Sequence, residues 1–285
     1  MSITKKLNNF LKKYSVKIHN EEPIANGSLK WIPSDRQSNF EKNIKIYPEY
    51  LQYYVDNPII YKINKQYFRS TFDFKPDKNK KVNLFLGCSN TFGIGLHWEH
   101  TWPYLLSEKL DSEIINLGVP GGCMELSYLN LKKYIDFFDV QNIFHLQDIY
   151  ARYLGFMYSK LDSFSITSPD IFKKVLFLFY TKEQVKSVFS DPDYMVYSHL
   201  KSLDAIKFLC IQKDVPYFYN HITPDFELPW QIRKKYGIIP TLSHDKFLND
   251  FLSRDLAHPH LSTTKEIANE FFNIYTKYPK GHSTL

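Results

Sequence analysis

Val82-Asn83-Leu84-Phe85-Leu86-Gly87-Cys88-Ser89-Asn90-Thr91-Phe92-Gly93-Ile94-Gly95 is the stretch around which the chain is organised. Four apolar residues, Val82, Leu84, Phe85 and Leu86, run almost unbroken into Gly87. A short apolar run of this kind suits a strand buried on both faces of a parallel sheet. The chain then breaks into Gly87, Gly93 and Gly95, with small polar residues between them. Open α/β sheets bind their ligands at the carboxyl ends of the strands. Ser89 is therefore a hydroxyl delivered to that edge.

Downstream, the pattern alternates. Thr101-Trp102-Pro103 reads as a helix start, with Thr101 as cap and Pro103 tolerated in the first turn. Leu105, Leu106 and Leu110 give that helix an apolar stripe. Residues 113–117 read as a second strand, ending in the turn Gly118-Val119-Pro120-Gly121-Gly122. Met124, Tyr128, Leu131, Ile135 and Phe138 recur at helical spacing, and 142–146 read as a third strand. A helix from Ser190 to about Lys213 follows, with Val196, Leu200, Leu203 and Ile206 inward. Residues 215–219 are a fourth strand, and 237–239 a stub of a fifth. Thr263-Thr264-Lys265-Glu266 resembles a capping box opening a last helix that carries Ile267, Phe271 and Ile274. Strands alternating with helices argue a parallel sheet with right-handed crossovers. Residues 172–180 are apolar enough for a strand or a buried helix, and periodicity does not decide between them.

Residues 1–80 are more irregular, punctuated by Pro23, Pro33, Pro48 and Pro58, with a short strand expected within Ile59–Asn64. Lysines at 5, 6, 12 and 13 flank Ile3, Leu7, Phe10, Leu11 and Tyr14 at helical spacing, which reads as a helix docked on its own domain, with an amphipathic helix on a membrane or a partner as the alternative. The chain divides into an N-terminal extension over 1–80 packed on the core, a main domain over 81–278 and a flexible tail over 279–285.

Composition narrows the class. Hydrophobic content of 44% and charged content of 23% are those of a soluble globular protein. The net charge of +6 is spread without a long basic run, so nucleic acid is not expected as a partner. With 23 Phe and 21 Tyr, the rings are expected mainly in the core, with an aromatic-lined cleft as the alternative. Neither an apolar leader nor a run of 18 apolar residues is visible, so no membrane span is expected. Cys88, Cys123 and Cys210 have no metal or disulfide spacing and suit a reducing compartment, hence a cytoplasmic expectation.

Near the carboxyl terminus stands Asp255-Leu256-Ala257-His258-Pro259, just before the last helix. Together with Gly87-Cys88-Ser89-Asn90-Thr91-Phe92-Gly93, it resembles the last and first blocks of the SGNH (GDSL-type) hydrolases. Asn64 followed by Phe68-Arg69-Ser70 is similar to a lead-in found before the first block of bacterial members. The resemblance spans roughly residues 60–275. It implies a three-layer α/β/α, flavodoxin-like SGNH hydrolase fold with a parallel sheet of about five strands. It also implies a serine esterase acting through an acyl-enzyme on a small acyl ester, with an O-acetyl carbohydrate as one substrate class. Ser89 would be the nucleophile. His258 would take its proton and return it to the leaving group, and Asp255 would hold the imidazole. A serine hydroxyl needs such a base, because it is almost fully protonated at neutral pH.

The family's oxyanion donors would be the Ser89 N–H, the Gly121 N–H and an amide side chain in the third block. There the sequence departs from the family. Its Gly-x-Asn-Asp falls on His145-Leu146-Gln147-Asp148, so Gln147 stands for the Asn with one methylene more. Cys88 replaces the usual Asp beside the nucleophile. No cofactor or metal is implied.

Other assignments are weaker on the residues alone. Cys88 as nucleophile would point away from Ser89's side of the strand. His260 lies two residues past the Asp-x-x-His match. His97, His100, His258 and His260 fit no standard metal spacing. Two functional alternatives stay open: acyl transfer to an acceptor other than water, and a degenerate hydrolase fold kept as a binding or assembly module. Oligomeric state is not legible.

Overall fold

In the computed structural model, the described residues are 27–147, 152–157, 160–165, 192–221 and 253–279. In chain order, the elements of the first segment begin with β1 (Gly27–Leu29), α1 (Gln37–Asn43), α2 (Pro48–Asp56) and β2 (Tyr61–Ile63). There follow β3 (Asp77–Gly87), α3 (Ser89–Phe92), a 3₁₀ turn (Trp98–His100), α4 (Trp102–Leu110) and β4 (Glu113–Asn116). Then come α5 (Met124–Tyr134), β5 (Phe138–Gln147), β6 (Arg152–Met157), β7 (Lys160–Ser165) and α6 (Pro192–Lys213). β8 (Tyr217–His221) and α7 (Leu261–Lys277) complete the set.

The central sheet runs β4-β3-β5-β8, and all three pairings are parallel. Its strands fall at the four expected, 82–86, 113–117, 142–146 and 215–219, except that β4 ends at Asn116 and β8 is displaced to Tyr217–His221. β3 and β5 extend further toward their amino ends than the apolar runs suggest: Lys81 pairs with Asp139 and Asp77 with Phe138, across an irregularity at 78–80. The expected stub at 237–239, the segment 172–180 and the amphipathic stretch at 3–14 lie outside the described residues.

Period-two alternation sends successive side chains to opposite faces. Val82, Leu84, Leu86 and Ile143 pack with Leu131 and Tyr134 of α5 and Leu203 and Ile206 of α6. Phe85, Phe144, Leu146 and Phe218 pack with Trp102 and Leu106 of α4 and Ile267, Ala268 and Phe271 of α7. Helices therefore cover both faces, giving a three-layer α/β/α arrangement, and β3 is apolar in both directions for that reason. Asn83, the polar exception, is 1% exposed. It donates to Ser112 Oγ at 2.6 Å and accepts from Asn142 Nδ2 at 2.9 Å, so its burial leaves no orphan amide. The rings lie largely inside: Trp102 stacks on Phe271 at 4.8 Å, and Phe144 on Phe218 at 5.0 Å.

Several local expectations are corrected. The helical spacing from Met124 to Phe138 overruns the helix, which stops at Tyr134; Phe138 already pairs with Asp77 in the sheet. Adjacent Phe137 and Phe138 cannot share one helical face, and the strand buries Phe138 instead. Thr101 does sit at the N-cap of α4, but its hydroxyl turns back to donate to the Trp98 carbonyl at 2.8 Å. The capping box at 263–266 does not form. α7 begins two residues earlier, with His260 at its N-cap, and Thr264 Oγ1 donates across to the His100 carbonyl at 2.7 Å. Helix 190–213 begins at Pro192 in the described residues, and the strand within 59–64 is confined to Tyr61–Ile63.

The 27–96 region holds more order than its prolines suggest. β1 and β2 pair antiparallel, and Ile32, Phe40, Leu51, Tyr54 and Ile59 form a core with Phe92 and Ile94. That core is built directly against the residues that follow Ser89.

Candidate active site

Ser89 opens α3 at the carboxyl end of β3, and it is 5% exposed. The strand must end abruptly to put it there. Gly87 has φ 142°, and a Cβ at that position would meet the Leu146 carbonyl oxygen at 2.2 Å and Thr91 Oγ1 at 2.3 Å. No larger residue fits without moving β5 away from the turn. Cys88 is fully buried at the N-cap of α3. Ser89 Oγ lies 3.7 Å from Cys88 Sγ, a long sulfur contact. Among the described residues, no hydrogen bond joins Ser89 Oγ to His258.

The Asp255–His258 pair is formed. His258 Nδ1 and Asp255 Oδ2 are 2.5 Å apart. A carboxylate can only accept, so the proton lies on Nδ1 and the Nε2 lone pair is left available. Burial acts to raise the Asp255 pKa. The hydrogen bond and charge of His258 outweigh it, helped by Ser253 Oγ and the Ala257 N–H, and the carboxyl ends below its usual range. Ser253 Oγ also lies 2.6 Å from the His258 carbonyl and accepts the His258 N–H at 3.2 Å. Leu256, between the pair, sits at φ 55°, a left-handed turn that a leucine adopts only when its surroundings over-determine it.

This loop is seated on the turn after Ser89. Arg254 N–H donates to the Gly95 carbonyl at 3.0 Å, while the Gly93 and Ile94 N–H groups donate back to the Ser89 carbonyl. Gly95 has φ 72°, and a Cβ there would lie 2.9 Å from Asp255 Oδ1 and from Ser253 Cβ. The Asp255–His258 loop and the turn after Ser89 therefore meet at a glycine because nothing larger leaves room.

The other expected site residues are placed as follows. Asn116 donates to the Thr91 carbonyl at 2.7 Å and accepts from the Gly118 N–H at 2.9 Å, which ties the turn after β4 to α3. Gly121 is exposed, at φ 72°, with open space around its α-carbon. Gln147 is the last residue of β5, one past the Leu146–Gly87 pair, and it is completely buried. Neither of its amide atoms has a hydrogen-bond partner among the described residues. A buried amide is costly to leave unpaired, and its polar neighbour on this face is His145.

His145 lies on the same face as Gln147. Its Nδ1 is 2.9 Å from Tyr217 Oη, and its Nε2 is buried without a partner among the described residues. Burial lowers the His145 pKa to about 3, with neighbouring Gln147 opposing the shift. The folded-state value lies below the unfolded value of about 6.5, so the unfolded chain binds more protons between the two. The His145 contribution is therefore fully present above about pH 6.5 and is lost as pH falls toward 3. Urea unfolding at pH 6.5 and pH 5 should show wild type losing up to about 2 kcal/mol more than His145→Gln over that interval. Equal losses would mean His145 takes up its proton as readily folded as unfolded.

Three functional candidates escaped the sequence. Arg69 is 1% exposed; its Nη1 donates to the Phe92 and Gly93 carbonyls, and its Nη2 to that of Leu96 at 2.8 Å. It clamps the nucleophile turn from behind, and burial lowers its pKa to about 10, with Tyr61 and Glu99 acting in the opposite direction. Asp35 and Arg254 form a salt bridge of 2.6 Å with both side chains 1% exposed. The one signal was Arg69 in the lead-in; nothing in the spacing connects residue 35 to residue 254. Two clefts among the described residues, of ≈ 190 and ≈ 300 Å³, lie along Lys62, Ser70 and Thr71, and neither is lined by Ser89 or His258. No group of three or more His, Cys, Asp or Glu able to hold a metal occurs among the described residues. Within the same residues, no helix is long and apolar enough to cross a membrane.

No protein-family model matches the chain, and no curated protein does. Among solved structures, it is similar to the psychrotrophic esterase EstA from Pseudoalteromonas sp., at 13% identity and a TM-score of 0.38, covering 70% of this chain and 99% of that one. A putative lipolytic protein of the G-D-S-L family from Desulfitobacterium hafniense DCB-2 gives 12% identity and 0.38, over 68% and 98% of the two chains. AlinE4, an SGNH-hydrolase family esterase, gives 15% identity and a TM-score of 0.35, over 70% of this chain and 96% of that one.

Proposed function

We propose that the protein is a serine esterase of the SGNH type, with Ser89 as nucleophile, His258 as base and Asp255 as its orienting acid. The observation that carries this reading is the Asp255–His258 pair at 2.5 Å, in a loop bonded to the turn that Ser89 begins. Ser89 Oγ attacks the ester carbonyl carbon as its proton passes to His258 Nε2. The tetrahedral intermediate collapses, the C–O bond to the alcohol breaks, and His258 returns the proton to the departing oxygen. Water then repeats the sequence on the acyl-enzyme, releasing the acid and restoring Ser89. Asp255 stays ionised throughout and stabilises the imidazolium. The substrate is a small acyl ester, with O-acetylated carbohydrate as the class the sequence resemblance favours. Three buried cysteines, none in a disulfide, support a reducing setting such as the cytoplasm.

The oxyanion would be met by the Ser89 and Gly121 N–H groups and by Gln147. The position of the buried Gln147 amide at the carboxyl end of β5, without a hydrogen-bond partner among the described residues, supports its part in this. Gln147→Ala should therefore lower turnover of an activated acetyl ester by roughly 10²–10³, with KM little changed. An unchanged kcat would remove Gln147 from the oxyanion set. Gln147→Asn restores the shorter amide and tests whether side-chain length limits the rate.

One observation favours a second reading. Ser89 Oγ contacts Cys88 Sγ and not His258, as a degenerate fold serving as a binding module would allow. Incubation with a fluorophosphonate probe separates the two: covalent modification of Ser89 is expected. Its absence, with no short-chain ester hydrolysed between pH 6 and 9, would favour the binding module.

A further inference from the structure

The base loop is fixed by a closed ring of buried bonds that passes through the N-terminal region. Arg254 N–H donates to the Gly95 carbonyl at 3.0 Å. The Gly95 N–H donates to Tyr61 Oη at 2.9 Å, and Tyr61 Oη donates to Asp35 Oδ2 at 2.5 Å. Asp35 Oδ2 in turn accepts Arg254 Nε at 2.9 Å and Nη2 at 2.6 Å, which returns the ring to its start. Arg254 is the residue before Asp255. The ring therefore joins the acid–base loop, the turn after Ser89 and two residues more than 190 positions upstream of that loop.

Each member is held from several sides. Tyr61, Asp35 and Arg254 are 0%, 1% and 1% exposed. The Arg254 guanidinium lies 4.0 Å over the Trp31 ring, and its Nη2 also reaches the Lys30 carbonyl at 2.6 Å. Burial and then the Asp35 charge raise the Tyr61 pKa, which keeps its hydroxyl a donor to the carboxylate and an acceptor for Gly95. Arg254 Nε and Nη2 and Tyr61 Oη converge on the one oxygen Asp35 Oδ2, while Oδ1 is buried without a hydrogen-bond partner among the described residues, so the planar guanidinium and the hydroxyl are held about a common point. Such precision is what a general base needs, because displacing a reacting group by about 1 Å can cost 10²-fold in rate.

We infer that Asp35, Tyr61 and Arg254 are positioning residues: together they set the register of the His258 loop against Ser89, and the 27–63 region is thereby part of the catalytic unit. This inference rests on the esterase reading for its catalytic half and on geometry alone for its structural half. The two halves are tested in one experiment on the full-length protein. Tyr61→Phe removes a single hydroxyl and keeps the ring. Amide hydrogen exchange is followed at Arg254, whose N–H bonds to the Gly95 carbonyl and not to Tyr61, and in β3 and β5 as internal standards. Exchange at Arg254 should rise at least about tenfold with the standards unmoved. Ser89 labelling by a fluorophosphonate should slow about 10- to 100-fold, with KM for p-nitrophenyl acetate within about twofold. Unchanged exchange at Arg254 overturns the ring as a coupling device. Faster exchange with undiminished labelling overturns the positioning role. If wild type is not labelled at all, the esterase reading falls, and the exchange data alone still decide whether the ring couples the two loops.

Discussion

Ser89→Ala will lower turnover of p-nitrophenyl acetate by about 10⁴–10⁶ and will abolish covalent labelling, without loss of the folded state. The expected loss is large because nucleophile, base and acid act as a unit, so removing one forfeits most of what all supply. Stability should be nearly untouched. Among the described residues, Ser89 Oγ makes the 3.7 Å contact to Cys88 Sγ, and the new methyl group occupies less space than the hydroxymethyl it replaces. His258→Ala should fall in the same range, and the double variant should be little worse than either single one. The check is steady-state kinetics with intact-protein mass spectrometry after the probe. If Ser89→Ala retains wild-type turnover, Ser89 is not the nucleophile.

Asp35→Ala will destabilise the protein by about 3–5 kcal/mol, the usual cost of stripping one partner from a buried ion pair. The Arg254 guanidinium would remain in place, held by Trp31 and the Lys30 carbonyl, with its charge uncompensated at 1% exposure. Tyr61 Oη would lose its acceptor in the same step. Asp35→Asn keeps an oxygen at the junction and should lose less. The comparison separates the charge from the hydrogen bonds. Urea unfolding at pH 7 measures both variants. A loss below about 1 kcal/mol for Asp35→Ala would show that water or rearrangement satisfies Arg254 easily, and that the pair is not a constraint on this loop.

The cysteine beside the nucleophile has a different standing from the other departures. Cys88 is fully buried at the end of β3, packed where Gly87 forces the turn, so it offers no surface to a substrate. Gln147 and His145 are departures whose buried polar atoms, Gln147 Nε2 and Oε1 and His145 Nε2, have no hydrogen-bond partner among the described residues.

The sheet was legible because burial on both faces writes itself as uninterrupted apolar residues. Leu84-Phe85-Leu86 and Ile143-Phe144 carry that signature, and their pairing follows from short-range βαβ logic. The Asp255–His258 pair was expected from the resemblance of Asp255-Leu256-Ala257-His258 to the family's last block, and one short loop is enough to bring the two side chains together. Element ends were less legible. The helix expected through Phe138 stops at Tyr134, and the box at Thr263 gives way to a bond with His100, because a distant partner outcompeted the local one. The sequence by itself determined which strands are central, which residues stand at their carboxyl ends, and which acid holds which histidine. Only the tertiary structure decided that Asp35 pairs with Arg254 and that Tyr61 and Arg69 bond to the turn after Ser89, since no periodicity or spacing relates Asp35 to Arg254 across 219 positions. The physical reason is that a buried charge is satisfied by whatever the fold brings within about 3 Å, and that distance is a property of packing rather than of neighbouring residues.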